Sequence, residues 1–518
     1  MTEYTSEGTE TELQRLRWVV RRIREPKNLI MGVSLLAIIG FSAIIRFHFS
    51  GFLDPFEDGY QNWWISANLA STGQYWDRHS MMTQGNWLPL YHFSGAGLLD
   101  IVGLRSMEAL KAANVALSSL TAVIVFLIAR KRGPAIGLAA TSFYSFNLVA
   151  IAVSGWATPE TMATFFVLLG YAMLFEFKSP PKGRFWIAAL ALGLAVTVRY
   201  EAWLVIVLLF AFVLANKDDA GNNRKILITT IPALLFMVGY FAYSTQWGFL
   251  PSIVVKQTST DLQYQISVGT QPNPTFILSR WWNGYFGFFP LVLIFGGSFA
   301  LFRIRREFGA WIVLSFWGFV IFYAALLFGN PSFRYVLITI PFLSIFAAFA
   351  IADLARWATR LRRKASTDWN RATPIVTMTS FFILGATLLP SVLGSWTPGF
   401  PTSSAMEPLR RAGEYVSSLQ LPDGKILVSE SPIAAYFSGY PSDRILGSRW
   451  LPASRSAALS FLKTTTAYVV YMGVPYYTLR VLFPELQNGT STADFQFLYD
   501  AGGVQAGTHA VFVYGMKP

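Results

Sequence analysis

Three carboxylates stand within five positions in the stretch Asp54-Pro-Phe-Glu57-Asp58-Gly-Tyr60. Adjacent like charges in a semi-enclosed site shift one another's proton affinity, so such a cluster suits general-base or metal-binding work. A solvated acidic loop is the plain alternative. The segment continues through Gln74-Tyr-Trp-Asp77-Arg78 to Trp87-Leu-Pro89-Leu-Tyr91-His92, with aromatics too dense for a hydrophilic linker. Aromatics of this kind form interfacial belts on a bilayer, and they also grip sugars and prenyl tails. His92 suits a phosphate partner or a metal ligand on one reading and a satisfied structural histidine on the other.

Further charges recur inside apolar sequence. Arg199-Tyr200-Glu201 interrupts the apolar stretch 185–215, Glu160 follows Pro159 at the start of another apolar run, and Arg334-Tyr335 follows Gly329-Asn-Pro-Ser-Phe333. Charges at membrane depth are costly, so by default they face a cavity and serve a site. The bland counterparts are a self-contained Arg199–Glu201 pair, an interfacial Arg–Tyr anchor at 334–335, and a helix N-terminal acid at Glu160.

The elements that carry these residues follow from composition. The chain has 518 residues, 53% of them hydrophobic and only 13% charged, with no cysteine and a net charge of +13. Soluble domains carry about a quarter charged residues, so membrane spans are expected, and disulfide scaffolds, Cys-bound metals and thiol nucleophiles are excluded. A polar, basic segment 1–27 precedes an apolar run from Leu29 to Ile45 with no small-residue cleavage site, which reads as an uncleaved first span. Apolar runs near 108–129, 134–153, 159–177, 226–244, 285–302, 309–328, 335–353 and 373–393 follow. The stretch 185–215 is too long for one span and reads as two meeting at the Arg199 turn, for about eleven transmembrane helices in all.

Basic residues test that layout. With residue 1 inside, the short inner segments hold the basic clusters at 15–27, 130–132, 178–184, 217–225, 303–306 and 356–371, more than half of the 41 lysines and arginines. This is the positive-inside pattern, and it accounts for the charge without nucleic-acid binding. The predicted organisation is a cytoplasmic N-terminus 1–27, a transmembrane part 28–396 with a first outer loop at about 48–106, and an extracytoplasmic domain 397–518 behind the Gly394–Pro401 linker. In that domain residues 404–419 read as an amphipathic helix, and Lys425–Glu430, Ala467–Met472 and His509–Tyr514 as strands, giving a small α/β domain. The acids at 54–58 and the arginines at 199 and 334 then share the outer face, where guanidinium groups opposite an acidic base suit transfer from a phospholipid donor. No nucleotide-binding motif is present, since Gly95-Ala-Gly97 has Asp100 where a third glycine would fall. Asn488-Gly-Thr490 is a formal glycosylation sequon.

The first outer loop, the Arg-Tyr turn and the outer domain resemble the membrane glycosyltransferases of the GT-C superfamily, specifically the protein O-mannosyltransferase and aminoarabinose-transferase clan. Members carry an Asp-Glu pair after the first span, often Asp-Glu-Gly-Tyr; here the order is reversed as Glu57-Asp58-Gly59-Tyr60. The resemblance covers the layout of residues 28–396. It implies a polyprenyl- or dolichyl-phosphate sugar donor, transfer of a hexose such as mannose, inversion on the outer face, and Glu57, Asp58 or Asp54 as general base. Relatives have a Lys-Pro pair where this chain has Trp87-Leu-Pro89, so Arg199 and Arg334 are assigned to the donor phosphate. Tyr60, Trp87, His92, Glu160, Glu201 and Tyr335 are the remaining substrate-binding candidates. A divalent cation could assist, and the acceptor is a glycan, lipid or protein. The expected location is the plasma membrane. The competing classes are a polytopic transporter, against which stands the lack of inverted repeats, and an inactive relative acting as scaffold or sensor.

Overall fold

The computed structural model describes residues 26–54, 57–73, 75, 88–175, 183–215, 220–246, 333–362, 406–474, 477–504 and 509–517. Helices are numbered over these residues. The membrane part contains α1 (Pro26–Ser50), α2 (Asp58–Thr72), α3 (Pro89–Val102), α4 (Met107–Ala129), α5 (Pro134–Ser145), α6 (Leu148–Ser154), α7 (Glu160–Phe175), α8 (Arg184–Val196), α9 (Glu201–Ala215), α10 (Ala220–Gln246) and α11 (Ile340–Arg362), the last preceded by a 3-10 segment at Phe333–Thr339. Two of the described helices, Leu29–Ser50 and Met107–Arg132, are long and apolar enough to cross a membrane. The spans expected near 285–302, 309–328 and 373–393 lie outside the described residues.

The side chains sort as a bilayer protein requires. Ala140, Tyr144, Leu192, Ile206 and Phe346 belong to one shared core. Leu36 and Ile44 of α1, Leu190 of α8 and Leu235 of α10 point outward and stay exposed, the apolar surface that acyl chains would cover.

Two local departures from continuous helix matter for the site. The expected break in 185–215 is present: α8 ends at Val196 and α9 begins at Glu201, leaving Thr197–Tyr200 as a turn. The run 134–153, expected as one span, is instead α5 and α6 bent by 57°. Asn147 causes the break by capping α6, its side chain accepting from the Ala150 N–H at 3.1 Å. Arg46 of α1 fills the gap, donating to the Ser145 carbonyl at 2.8 Å and the Ser154 hydroxyl at 2.9 Å. A freed carbonyl in a membrane interior is thereby satisfied.

The described residues of the first outer loop are largely helical, in α2 and α3. In α2 every residue from Gly59 to Leu69 is buried, so no amphipathic stripe announces it. It stops at Gly73, whose φ of 70° is the left-handed C-cap conformation that favours glycine. Pro89 occupies the first turn of α3, where its missing N–H costs nothing.

Residues 406–517 form an α/β domain: α12 (Glu407–Ser418), β1 (Ile426–Ser429), α13 (Pro432–Phe437), β2 (Ile445–Gly447), α14 (Arg455–Thr465), β3 (Thr466–Met472), α15 (Thr478–Leu482), β4 (Phe495–Val504) and β5 (His509–Met516). The sheet order is β2-β1-β3-β5-β4. β1 is parallel to β2 and β3, with Leu427 opposite Ile445 and Val428 opposite Val469, whereas β5 runs antiparallel to β3 and β4. Alternation divides the strands between two cores. Val428, Val469 and Tyr471 pack under α14 and α15 with Leu462 and Leu479. Leu427, Val470 and Val513 pack on the other face with Leu409 and Val416 of α12, in a cluster that also takes in Tyr60, Trp63 and Trp64 of α2. The domain is thus built onto the first outer loop, not tethered beside it.

Candidate active site

Asp58 is the first residue of α2, a position where the helix dipole favours an acid. Its carboxylate pairs with Arg334, which sits in the 3-10 segment before α11. The Arg334 Nε lies 3.6 Å from Glu160, the first residue of α7. The other side of that same Glu160 oxygen faces Arg199 at 3.5 Å. Arg199 also holds Glu201 in a two-pronged contact, Nε to Oε2 at 3.0 Å and Nη2 to Oε1 at 2.6 Å. Acid and base therefore alternate along Asp58, Arg334, Glu160, Arg199 and Glu201, gathered from four separated stretches of chain. The break between α8 and α9 is what lets Arg199 reach Glu160, because a continuous helix would carry it past the turn.

Three carboxylates face two guanidinium groups, so the cluster carries one surplus negative charge when all are ionised. The members differ in access. The Asp58 side chain keeps 21% exposure, against 5% for Glu160. The Glu160 contacts are ion pairs longer than a hydrogen bond, whereas the Arg199–Glu201 fork is fully formed.

The neighbouring acids are differently housed. Glu57 is half-buried between α2 and the α/β domain: the Ser431 hydroxyl donates to its Oε1 at 2.6 Å and the Tyr477 hydroxyl to its Oε2 at 3.2 Å. Burial pushes its carboxyl up to about 7, against the opposing pull of those two hydroxyls. Asp54 lies in a separate, closed pair with Lys111 of α4 at 2.8 Å, and its second oxygen accepts from the Ala157 N–H at 3.3 Å. Burial raises its carboxyl and Lys111 lowers it, with burial prevailing. Lys111 further donates to the carbonyls of Ser50 at 3.0 Å and Phe52 at 3.2 Å, pinning the exit of α1. The glycine of Glu57-Asp58-Gly59-Tyr60 is explained by the same packing, since a Cβ at Gly59 would overlap the Asp54 carboxylate.

The other candidates separate likewise. Tyr60 packs its ring on Tyr436 and Phe437 of α13, centroids 5.4 and 5.9 Å away, and so joins the loop to the α/β domain instead of facing the arginines. His92 is buried in a structural relay. Asn62 donates to the Ala157 carbonyl at 3.0 Å, so its oxygen is the atom that accepts from His92 Nε2 at 2.9 Å, and Tyr75 OH contacts Nδ1 at 3.1 Å. Burial holds His92 down at about 3, which keeps the ring neutral in that relay. Tyr335 follows Arg334 in the 3-10 segment, and Trp87 lies outside the described residues. Among the described residues no three histidine, aspartate or glutamate side chains gather to hold a metal ion.

Lys111, Ser431 and Tyr477 were not singled out from the sequence. A lone lysine in the apolar run 108–129 was a usable signal, because ionisable groups at that depth need a partner. A serine and a tyrosine more than 370 residues from Glu57 carry none.

Comparisons with known proteins bear on the fold. Residues 89–246, from α3 to α10, match the family described as dolichyl-phosphate-mannose-protein mannosyltransferase. The fold is similar to the crystal structure of ArnT from Cupriavidus metallidurans bound to undecaprenyl phosphate, with a TM-score of 0.59 at 12% identity over 92% of this chain and 97% of that one. The chain has the fold of the GT-C glycosyltransferases. The apo form of the same ArnT gives a TM-score of 0.54 at 14% identity, over 92% of this chain and 97% of that one. The Archaeoglobus fulgidus oligosaccharyltransferase tethered to an acceptor peptide gives 0.50 at 13% identity, covering 93% of this chain and 74% of that one. No curated protein matches the chain. The matched stretch 89–246 contains Glu160, Arg199 and Glu201, while Asp58 and Arg334 lie outside it.

Proposed function

We propose that this protein is an integral membrane glycosyltransferase that moves a sugar, a hexose such as mannose, from a polyprenyl- or dolichyl-phosphate donor to an acceptor hydroxyl on the extracytoplasmic face. The observation that carries the reading is the alternating chain of Asp58, Arg334, Glu160, Arg199 and Glu201, which sets an accessible carboxylate beside two guanidinium groups. The family match over residues 89–246 and the ArnT structure with undecaprenyl phosphate support a lipid-linked donor.

Asp58 is the general base on grounds of access. Both oxygens of Glu57 are taken by Ser431 and Tyr477, and those of Asp54 by Lys111 and the Ala157 N–H. A base has to reach the proton it removes. In the resting protein Arg334 neutralises Asp58. A donor phosphate competing for the guanidinium groups of Arg334 and Arg199 releases Asp58 as it binds, coupling donor occupancy to the freeing of the base. Asp58 then takes the proton of the acceptor hydroxyl, the oxygen forms a bond to the anomeric carbon with inversion, and the carbon–oxygen bond to phosphate breaks. Its electron pair leaves on the polyprenyl phosphate, whose charge the arginines stabilise. A divalent cation has no convergent set of acids among the described residues, so no step is assigned to one.

Reconstituted proteoliposomes supplied with polyprenyl-phosphate sugars test the assignment. Asp58→Asn lowers transfer by about 100- to 10,000-fold; unchanged transfer would remove Asp58 as the base. Mass spectrometry of co-purified lipids identifies the donor, and the absence of any polyprenyl phosphate among them would count against the donor class.

A further inference from the structure

The sheet of the α/β domain has a directional property. β2, β1 and β3 are parallel, and in open α/β sheets the edge at the carboxyl ends of parallel strands is where a bound ligand sits. Loops and helix starts gather there with unspent hydrogen-bonding groups. In this protein that edge is occupied by the chain itself. The residues following β1 and those following β3 both meet the Glu57 carboxyl of the first outer loop, through Ser431 and Tyr477.

The two hydroxyls are held before they meet Glu57. Ser431 caps α13, its Oγ accepting from the N–H groups of Ile433 at 3.2 Å and Ala434 at 3.4 Å while its hydroxyl hydrogen is spent on Glu57. Glu430, one residue earlier and fully buried, accepts from the Met472 N–H at 2.7 Å and the Leu479 N–H at 2.8 Å. It thereby ties the end of β1 to the end of β3 and to the start of α15, the stretch that carries Tyr477. Apolar contact would hold the domain on α2 without any of this, since Tyr60 and Trp63 already pack on Tyr436. Partly burying a carboxyl against two hydroxyls costs desolvation that a hydrophobic pair does not, which points to geometry, not stability, as its use here.

We infer that Ser431 and Tyr477 are positioning residues for the transfer reaction: by clamping Glu57 they fix the first turn of α2, and with it the direction from which Asp58 meets Arg334 and the acceptor hydroxyl. This rests on Asp58 acting as the base. It gives the α/β domain a part in the chemical step, because a displacement of about 1 Å at a reacting group costs about 100-fold in rate.

The test uses the full chain in lipid nanodiscs, with Ser431→Ala, Tyr477→Phe, the double variant and Ser431→Thr. Two quantities are read: kcat and KM for the polyprenyl-phosphate sugar, and hydrogen exchange of the amides at 58–65. The double variant lowers kcat by about 10- to 100-fold with KM for the donor held within about twofold. Exchange at 58–65 speeds up while that of β3 and β5 is unchanged, and Ser431→Thr restores both values. Unchanged kcat with unchanged exchange overturns the inference even if Asp58→Asn abolishes transfer. If exchange at β3 and β5 rises equally, the residues merely hold the domain together, and the inference fails. Should wild-type protein transfer no sugar, the functional reading falls separately, and exchange at 58–65 alone decides whether the clamp exists.

Discussion

Asp54 and Asp58 lie four residues apart and end in opposite situations. Asp54 meets one lysine in a closed, buried pair, with side-chain exposures of 2% and 6% for the two partners. Asp58 meets an arginine that is shared with Glu160, within a cluster holding more acids than bases, and retains contact with its surroundings. Charge and residue type are the same in both. What separates an anchor from a candidate catalytic group is whether the partner's charge is fully spent on it.

Substitutions at the two aspartates are expected to have opposite effects. Asp58→Asn is expected to reduce transfer by about 100- to 10,000-fold while leaving the amount of folded protein near wild type. Asp54→Asn does the reverse. It strands Lys111 without its counter-charge, destabilising the protein by about 3–5 kcal/mol, so the yield of folded protein in membranes drops while turnover per folded molecule is retained. If Asp54→Asn instead purified normally without activity, the two assignments would have to be exchanged. Arg334→Lys comes next. It keeps the charge but loses the planar fork, and is expected to raise KM for the lipid donor by about tenfold, measured by initial rates against donor concentration.

Smaller effects sharpen the boundary between the two acids. Gly59→Ala places a Cβ on the Asp54 carboxylate and is expected to cost about 1–3 kcal/mol of stability, read as a lowered midpoint of thermal unfolding in detergent. The smallest effect is graded with pH. Glu57 binds its proton more tightly in the folded protein, at about 7, than its ordinary value of 4.5. Between those values the folded form carries more protons than the unfolded one, so the contribution of Glu57 is complete below about 4.5 and is lost as pH rises through 7. Protection of the α2 amides, taken relative to the intrinsic base-catalysed exchange rate at each pH, should fall from pH 5 to 8, and Glu57→Gln should flatten that slope. An unchanged slope in the variant would assign the titration to another group.

The sequence was most legible where a property is local. The long apolar runs of α1 and α4, the polar break at 199–201 and three of the five strands are visible in short windows, since hydropathy and residue alternation act over a few neighbours. Four members of the charged cluster, Glu160, Arg199, Glu201 and Arg334, were identifiable as charges set in apolar surroundings, and Asp58 as one of three clustered carboxylates. Their order of pairing was not, because Glu160 serves Arg199 and Arg334 at once and only the folded helices decide which guanidinium reaches it. Tyr60 and His92 are instructive: each has a residue type suited to binding a substrate, yet Tyr60 packs on Tyr436 of the distant α/β domain and His92 is engaged by Asn62 and Tyr75 of its own loop. The bend at 145–148 is invisible to hydropathy because α5 and α6 are both apolar; Asn147, which caps α6, is a local mark of it.

A sheet edge filled by the protein's own first loop has a consequence for how this chain can be divided or recombined. The α/β domain and the segment 54–72 form one unit although some 330 residues separate them in sequence. A chimera that exchanges residues 406–518 alone for those of a relative brings in an edge shaped to a different loop, whereas one that carries residues 54–72 along keeps the pair intact. Interchangeability follows the carboxyl and its two hydroxyls, not the linker where the chain composition changes.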